Sequence, residues 1–188
     1  MNCVPRSLFV FGVLLALICI GCASYPEEQL KQAQAAMDEA LKHQPDVFAS
    51  GNWQDAKKAW DDAQALLSQK KYGPAASLLV TAKSRLSKAG QIAKDKRESV
   101  LQEVTQIRQD ITVRHAGLRS DLAAAHLSGP VRKNLEECCQ QLDDQLAKLN
   151  AEIDGGDLVK ARATAKEALQ FVYDGQVKLE AAIKKKLP

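Results

Sequence analysis

The side chains best suited to chemistry in this 188-residue chain are cysteines, histidines and paired carboxylates. Cys138 and Cys139 are adjacent on a predicted helix, where neighbouring side chains point about 100° apart. They are therefore poorly placed to share a metal ion or to form a disulfide, which needs a specific geometry. None of the histidines stands at metal-ligand spacing from another histidine or a cysteine; they are His43, His115 and His126. We predict no metal site and no cofactor.

The other reactive side chains fall on amphipathic helices that explain them without catalysis. His115 lies on an apolar stripe between Ile111 and Leu118, which is typical of a histidine packed in a helix seam. Four carboxylates occupy polar positions of another predicted helix: Glu136, Glu137, Asp143 and Asp144. Carboxylates do acid–base work only in a cleft that shifts their pKa values. Because the sequence also lacks a nucleophile-elbow motif and a phosphate-binding loop, we predict that it is not an enzyme.

The chain opens with a segment whose composition differs from the rest. Arg6 precedes an unbroken apolar run, Leu8 to Ile20, and Gly21 and Cys22 follow it. The run has the length of a signal-peptide core and is shorter than the roughly 20 residues that span a bilayer. This order of parts resembles the lipobox of bacterial lipoproteins. The resemblance implies a signal peptide over residues 1–21, cleavage between Gly21 and Cys22, and a lipid such as palmitate on Cys22.

The same resemblance bears on sorting and on the other cysteines. Ala23 and Ser24 follow the lipobox without an Asp, which in Gram-negative lipoproteins favours sorting to the outer membrane. Cys3 and Cys19 would leave with the signal, so the folded part would have no disulfide framework. Two other interpretations stay open: an ordinary secretory signal cut nearby, with Cys22 a free thiol, and an uncleaved membrane anchor.

The composition indicates long helices and argues against nucleic-acid binding. Aromatic residues make up only 5% of the chain, and Ala, Leu, Gln and Lys dominate. The formal net charge of +3 arises from 26 basic and 23 acidic residues that are well mixed along the chain. Nucleic-acid binders concentrate their basic residues on one face, so we predict no nucleic-acid partner.

Trp53 and Trp60 could either line a ligand pocket or pack in a core. They belong to a stripe with 3, 4, 3, 4 spacing, which indicates one face of a helix; its members are Trp53, Ala56, Trp60, Ala63 and Leu67. Copies of this stripe begin at Leu30, Tyr72 and Leu158. Since Leu, Met or Ala stands at the Trp60 position of these copies, the tryptophans fill a space. Packing is the favoured interpretation, and ligand contact is the alternative.

Turn residues divide the mature chain into five predicted helices. Their approximate bounds are 25–43, 53–69, 74–127, 130–153 and 158 to nearly the end. Ser24 with Glu27 forms a predicted capping box, and Asn52 and Asp157 are predicted N-caps. Gly175 falls on the seam of the last helix, where a missing side chain permits close approach, so we predict that the helix continues through it.

The long predicted helix carries two apolar stripes, separated by Lys94–Ser99, which holds no apolar residue. A seam that disappears in this way indicates a helix that passes from one bundle to another. We therefore predict an all-α fold, an elongated antiparallel arrangement of two three-helix bundles that share residues 74–127. The N-terminal bundle spans 22–93 and the C-terminal bundle spans 94–188.

Two further resemblances concern the mature chain. A pattern of Tyr or Leu followed by spaced alanines and an Ala-Lys pair, in residues 70–83 and 156–169, resembles the second helix of a tetratricopeptide repeat. The first-helix signature and the period of that repeat are missing, so this is a shared packing solution. As a whole, the mature chain looks like a group of small alanine-rich helical lipoproteins of unknown function.

Three lysines near the C-terminus, Lys184, Lys185 and Lys186, allow two interpretations. Cations at a helix C-terminus interact favourably with the helix dipole, and the same cations could contact an anionic lipid surface or cell-wall polymer. The murein lipoprotein links to peptidoglycan through a C-terminal lysine. Because Leu187 and Pro188 follow the lysines here, we expect no such covalent link.

These observations predict a non-catalytic envelope lipoprotein on the periplasmic face of the outer membrane. It would be held to the membrane by Cys22 and would act as a helical spacer or as a scaffold for an envelope protein. The alternative is a periplasmic binding module that holds a peptide or small ligand in a groove near Trp53 and Trp60.

Overall fold

The computed structural model describes residues 24–186, and within this range every regular element is a helix. The helices are α1 (Glu27–Leu41), α2 (Pro45–Phe48), α3 (Ser50–Ser68), α4 (Tyr72–Ala124), α5 (Gly129–Asp154) and α6 (Leu158–Lys186). The all-α helical bundle prediction is confirmed. The chain divides into two compact units between Ala93 and Lys94. We call them the first unit and the second unit, and α4 contributes residues to both.

The first unit packs α1, α3 and the beginning of α4 through small residues. Its buried alanines include Ala33, Ala40, Ala56, Ala63, Ala75, Ala82 and Ala89. At Gly90 the helices come so close that an added Cβ would lie 3.0 Å from both Cα and Cβ of Ala40. The glycine costs helix propensity, and this close approach is what it permits.

The second unit packs α5 and α6 against the rest of α4 through larger residues. Its fully buried side chains include Val104, Ile111, Leu118, Leu142, Leu149 and Val172. α6 continues through Gly175, where an added Cβ would lie 3.1 Å from Cys138 Sγ and from Leu118 Cδ2. The prediction that Gly175 lies on the seam is therefore confirmed.

Two predicted helix starts are wrong. α1 begins at Glu27 with Pro26 at its N-cap, and no side-chain hydrogen bond caps it, so Ser24 forms no capping box. The fixed φ of proline suits the first turn, and the Pro26 carbonyl accepts the first helical hydrogen bond, 3.0 Å from Leu30 N. Asn52 is not an N-cap, because α3 already starts at Ser50.

α3 begins earlier than predicted because a short helix, α2, directly precedes it. After the end of α1, Gln44 takes a left-handed backbone conformation with φ 53°. Pro45 is then the first residue of α2. Pro45 and Phe48 are both buried, which ties this turn to the first unit. α2 has only four residues. One turn is too short to show the apolar periodicity by which a helix is recognised in a sequence.

The long predicted helix is continuous, although its bounds differ slightly from the predicted 74–127. α4 runs from Tyr72 to Ala124, and the chain leaves the helical region at His126, whose φ is 47°. The predicted cap of α6 is confirmed, since Asp157 Oδ1 accepts a hydrogen bond from Lys160 N at 3.2 Å. Among the helices within residues 24–186, none has the length and apolarity needed to cross a membrane.

Candidate functional site

Trp53 lies inside the first unit. Its side chain is buried with only 8% exposed, in an apolar cluster with Ala40, Ala56, Leu86 and Ala89. A ring enclosed by aliphatic side chains from three helices acts as a space filler, as the repeated stripe predicted. For Trp53 the packing interpretation is therefore the better one.

Trp60 is less completely enclosed than Trp53, but most of its surface is also buried, as the packing interpretation predicts. It borders both apolar clusters of the first unit, the one around Trp53 and a second one that includes Ala63, Leu67 and Leu79. It keeps some surface toward solvent. Of the two tryptophans, Trp60 is the one that a ligand or partner can reach.

The C-terminal lysines lie at the end of α6. Lys184 and Lys185 are exposed in its last turn, and Lys186 is its last residue. One turn earlier, an open depression of about 330 Å³ lies between α4 and α6; it is lined by Asp121, Ala124, Ala125, Gln176, Leu179, Glu180 and Ile183. This volume is at the low end of ligand sites, which usually enclose most of their ligand. The depression carries both carboxylates and apolar surface.

Gly21 and Cys22, the predicted cleavage and lipidation residues, lie outside the described residues. Their role stays a prediction from the N-terminal sequence.

The second unit contains a cluster of titratable side chains around His115, between α4 and α5. The His115 side chain is buried, with 6% of the residue exposed. Arg119, one turn further along α4, donates a hydrogen bond from Nε to His115 Nε2 at 3.2 Å. Asp143 of α5 pairs with Arg119 and places Oδ1 3.7 Å from His115 Nδ1. Arg119 thus contacts both the imidazole and the carboxylate.

This geometry determines where the histidine proton lies. Because Nε2 accepts a hydrogen bond from Arg119, it carries no proton, and the neutral ring is protonated at Nδ1, on the side of Asp143. Burial lowers the pKa of His115; the Asp143 carboxylate opposes this shift, and the Arg119 guanidinium adds to it. The ring is therefore neutral near neutral pH.

The two cysteines diverge on α5, as the helix geometry predicted. Cys138 contacts the position of Gly175 on α6, whereas Cys139 interacts with Arg119 on α4. Both thiols are free and buried, and burial raises the pKa of each thiol above its ordinary value. A buried, protonated thiol is a poor nucleophile and a poor metal ligand.

Sequence reasoning placed His115 in the seam but did not find its partners. The four-residue spacing of His115 and Arg119 was a signal for their contact on one helix face. Asp143 was interpreted as part of a solvated face, and only the register of α5 against α4 brings it near the imidazole. Within residues 24–186, no three His, Cys, Asp or Glu side chains are grouped to hold a metal ion.

Comparison of this chain with protein-family models, with curated proteins and with solved structures found no match.

Proposed function

We propose that this chain is a non-catalytic lipoprotein of the cell envelope, anchored through a lipid on Cys22 and acting as a helical spacer or scaffold. The observation that carries the proposal is the order of Arg6, the apolar run Leu8–Ile20, and then Gly21 and Cys22. A lipid on Cys22, at the start of the mature chain, would hold the protein to a membrane.

The folded part supports a structural role. Within residues 24–186 each of the two units is built from packed helices alone, which is an architecture that a spacer or scaffold can use. In the His115 cluster the imidazole is buried and the Cys139 thiol beside it is protonated, so the cluster offers no activated nucleophile. Catalysis needs a reactive group that a substrate can approach.

The proposed location is the periplasmic face of the outer membrane, with an envelope protein as the partner. Ala23 and Ser24 after the cysteine support this sorting. The exposed Lys184 and Lys185 are the residues that would meet an anionic lipid surface or polymer. A binding module at Trp53 and Trp60 has less support, because Trp53 is enclosed by its own unit.

Replacement of Cys22 tests the anchor. The variant Cys22→Ser should move the protein from the membrane fraction to the soluble fraction and should abolish labelling by radioactive palmitate. Cys3→Ser is the matched control, because Cys3 would leave with the signal peptide, and it should change neither result. If Cys22→Ser remains membrane-bound with its N-terminus intact, the anchor is an uncleaved transmembrane helix and the proposal is wrong.

A further inference from the structure

One solvent-facing surface of α4 in the second unit carries no charge. The exposed residues between positions 99 and 116 are Ser99, Leu101, Gln102, Thr105, Gln106, Gln109, Thr112, Val113 and Ala116. Exposed lysines, arginines, aspartates or glutamates occur along α5, along α6 and along α4 before Ser99 and after Ala116. Charged residues are depleted where a surface is covered by another protein. The surface is therefore unlike the other solvent faces of the described chain.

The charged residues in the same stretch of α4 form ion pairs and hydrogen bonds within the second unit. Glu103 forms ion pairs with Arg162 and Lys166 of α6 at 2.9 and 3.4 Å. Arg108 donates a hydrogen bond to Asn150 of α5 at 3.1 Å. Likewise, Arg114 stands 4.2 Å from the centre of the Tyr173 ring and pairs with Asp110. The outward face is left to amides, hydroxyls and small apolar groups.

Six of the outward residues form a stripe with the 3, 4, 3, 4, 3 spacing of a coiled-coil seam. This outer stripe consists of Gln106, Gln109, Val113, Ala116, Ser120 and Ala123, all of them exposed. It lies on the opposite side of α4 from the buried Val104, Ile111 and Leu118. Val113 has 61% of its surface exposed, so an apolar group stands in the middle of this seam.

The order of sizes along the outer stripe is the decisive feature. Its first three residues are large and its last three are small, so the stripe fits a reversed copy of itself. In an antiparallel pair, Gln106 faces Ala123, Gln109 faces Ser120, and Val113 faces Ala116, so that each layer joins a large residue to a small one. A parallel pair would instead oppose large residues to large ones and leave gaps between the small ones.

The charges beside the stripe also permit this pairing. In the antiparallel arrangement Asp110 meets Gly117 and Thr112 meets Arg119, so no like charges oppose one another. The amides can both donate and accept hydrogen bonds, which a second copy can match. Two-fold pairing through one self-complementary patch is the commonest form of homodimer.

We propose that two copies of this chain pair antiparallel through the outer stripe of α4. The two-fold axis passes between Val113 and Ala116. The stripe extends about 26 Å at 1.5 Å per residue, so the interface is small and the dimer is expected to be weak and dependent on concentration. The pairing does not depend on the lipid anchor.

Cysteine crosslinking tests the register and direction. A mixture of the purified Gln106→Cys and Ala123→Cys proteins should form disulfide-linked dimers under mild oxidation, whereas neither variant should do so alone. Ala147→Cys, on an exposed position of α5, is the control for random collision. Dimers of Gln106→Cys alone at least as abundant as those of the mixture would indicate a parallel pair, and either that result or no excess over the control would overturn the proposal.

Sedimentation measurements test the interface itself. Val113→Glu places a carboxylate in the middle of the seam and should weaken dimerisation at least tenfold without loss of helix content. Val177→Glu is the matched control, because Val177 of α6 is 65% exposed and lies outside the stripe, and it should leave dimerisation unchanged. A protein that remains monomeric from micromolar to millimolar concentration, or two variants with equal effects, would contradict the proposal.

Discussion

The two units of this chain solve the same packing problem with different side chains. The first unit has a seam of alanines, and a Cβ added at Gly90 would lie 3.0 Å from both Cα and Cβ of Ala40. The second unit buries Leu, Ile and Val side chains beside three alanines of α6, and it holds the buried polar side chains found in residues 24–186, His115 and Thr164. A narrow seam has little tolerance for added atoms, whereas a wider one can accommodate a titratable group. The comparison therefore predicts different sensitivities for the two units.

The largest expected effect comes from removing Trp53, the large side chain that fills the core of the first unit. Trp53→Ala should lower the free energy of unfolding by about 3–5 kcal/mol, because it leaves a cavity among small residues that cannot refill it. Trp60→Ala should cost less, since part of that ring already faces solvent. Urea unfolding followed by circular dichroism would measure both values.

Tryptophan fluorescence provides the control for this pair. In Trp60→Phe the remaining Trp53 should be poorly quenched by iodide, and in Trp53→Phe the remaining Trp60 should be quenched more readily. Equal quenching, or a larger loss of stability from Trp60→Ala, would contradict the assignment of Trp53 as the side chain that fills this core.

The next effect concerns the glycines of the two seams. Gly90→Ala should destabilise the protein by about 1–3 kcal/mol, despite the better helix propensity of alanine, because the new Cβ meets backbone and Cβ atoms of Ala40. Gly175→Ala should cost less, because its new Cβ meets the side-chain atoms Cys138 Sγ and Leu118 Cδ2, which can shift. Thermal unfolding of each variant would measure the difference.

Gly117 supplies the control for helix propensity. A Cβ at this position meets nothing within 4 Å, so Gly117→Ala should stabilise the protein by about 0.5–1 kcal/mol. If Gly175→Ala proved more costly than Gly90→Ala, the first unit would not be the tighter of the two.

The smallest expected effect is a pH dependence of the second unit through His115. The unfolded chain has the ordinary histidine pKa of about 6.5, and burial lowers the pKa of His115 in the folded protein. Between these two values the unfolded state binds a proton that the folded state does not. The free energy of unfolding should therefore fall as the pH is lowered from about 6.5 through the folded pKa. Above about 6.5 both states have a neutral histidine, and His115 causes no further change in stability with pH.

His115→Gln removes this titration and keeps a neutral hydrogen-bonding side chain. We expect the wild-type protein to lose more stability than this variant when the pH is lowered from about 7.5 to about 5. Urea unfolding at several pH values would measure the two slopes. Parallel profiles for the two proteins would show that His115 has the same pKa folded and unfolded.

The sequence was a good guide where a feature repeats along one helix and a poor guide where it depends on two. The spacing of Trp53, Ala56 and Ala63 on one face predicted the seam, and the position of Gly175 predicted a close approach. The short helix Pro45–Phe48 was missed because its stability comes from burial and not from a repeated pattern. Asp143 was missed as a partner of His115 because the register between α4 and α5 is a tertiary property.

Helix ends were predicted less well for a related reason. Capping depends on local backbone geometry, which proline can override, and Pro26 displaced the expected Ser24 cap. Where no proline or extra turn interfered, as at Asp157, the predicted cap formed. A capping residue therefore predicts the start of a helix well only when no neighbouring proline or extra helical turn shifts that start.

The two buried thiols make local opening of the second unit measurable. Cys138 faces α6 and Cys139 faces α4, so a thiol reagent can reach either one only when the packing around α5 opens. The rate of labelling at each sulfur would then report how often α5 opens away from each neighbour, without the introduction of a new cysteine. The adjacent pair thus makes it possible to ask whether the two contacts of one helix break together or one before the other.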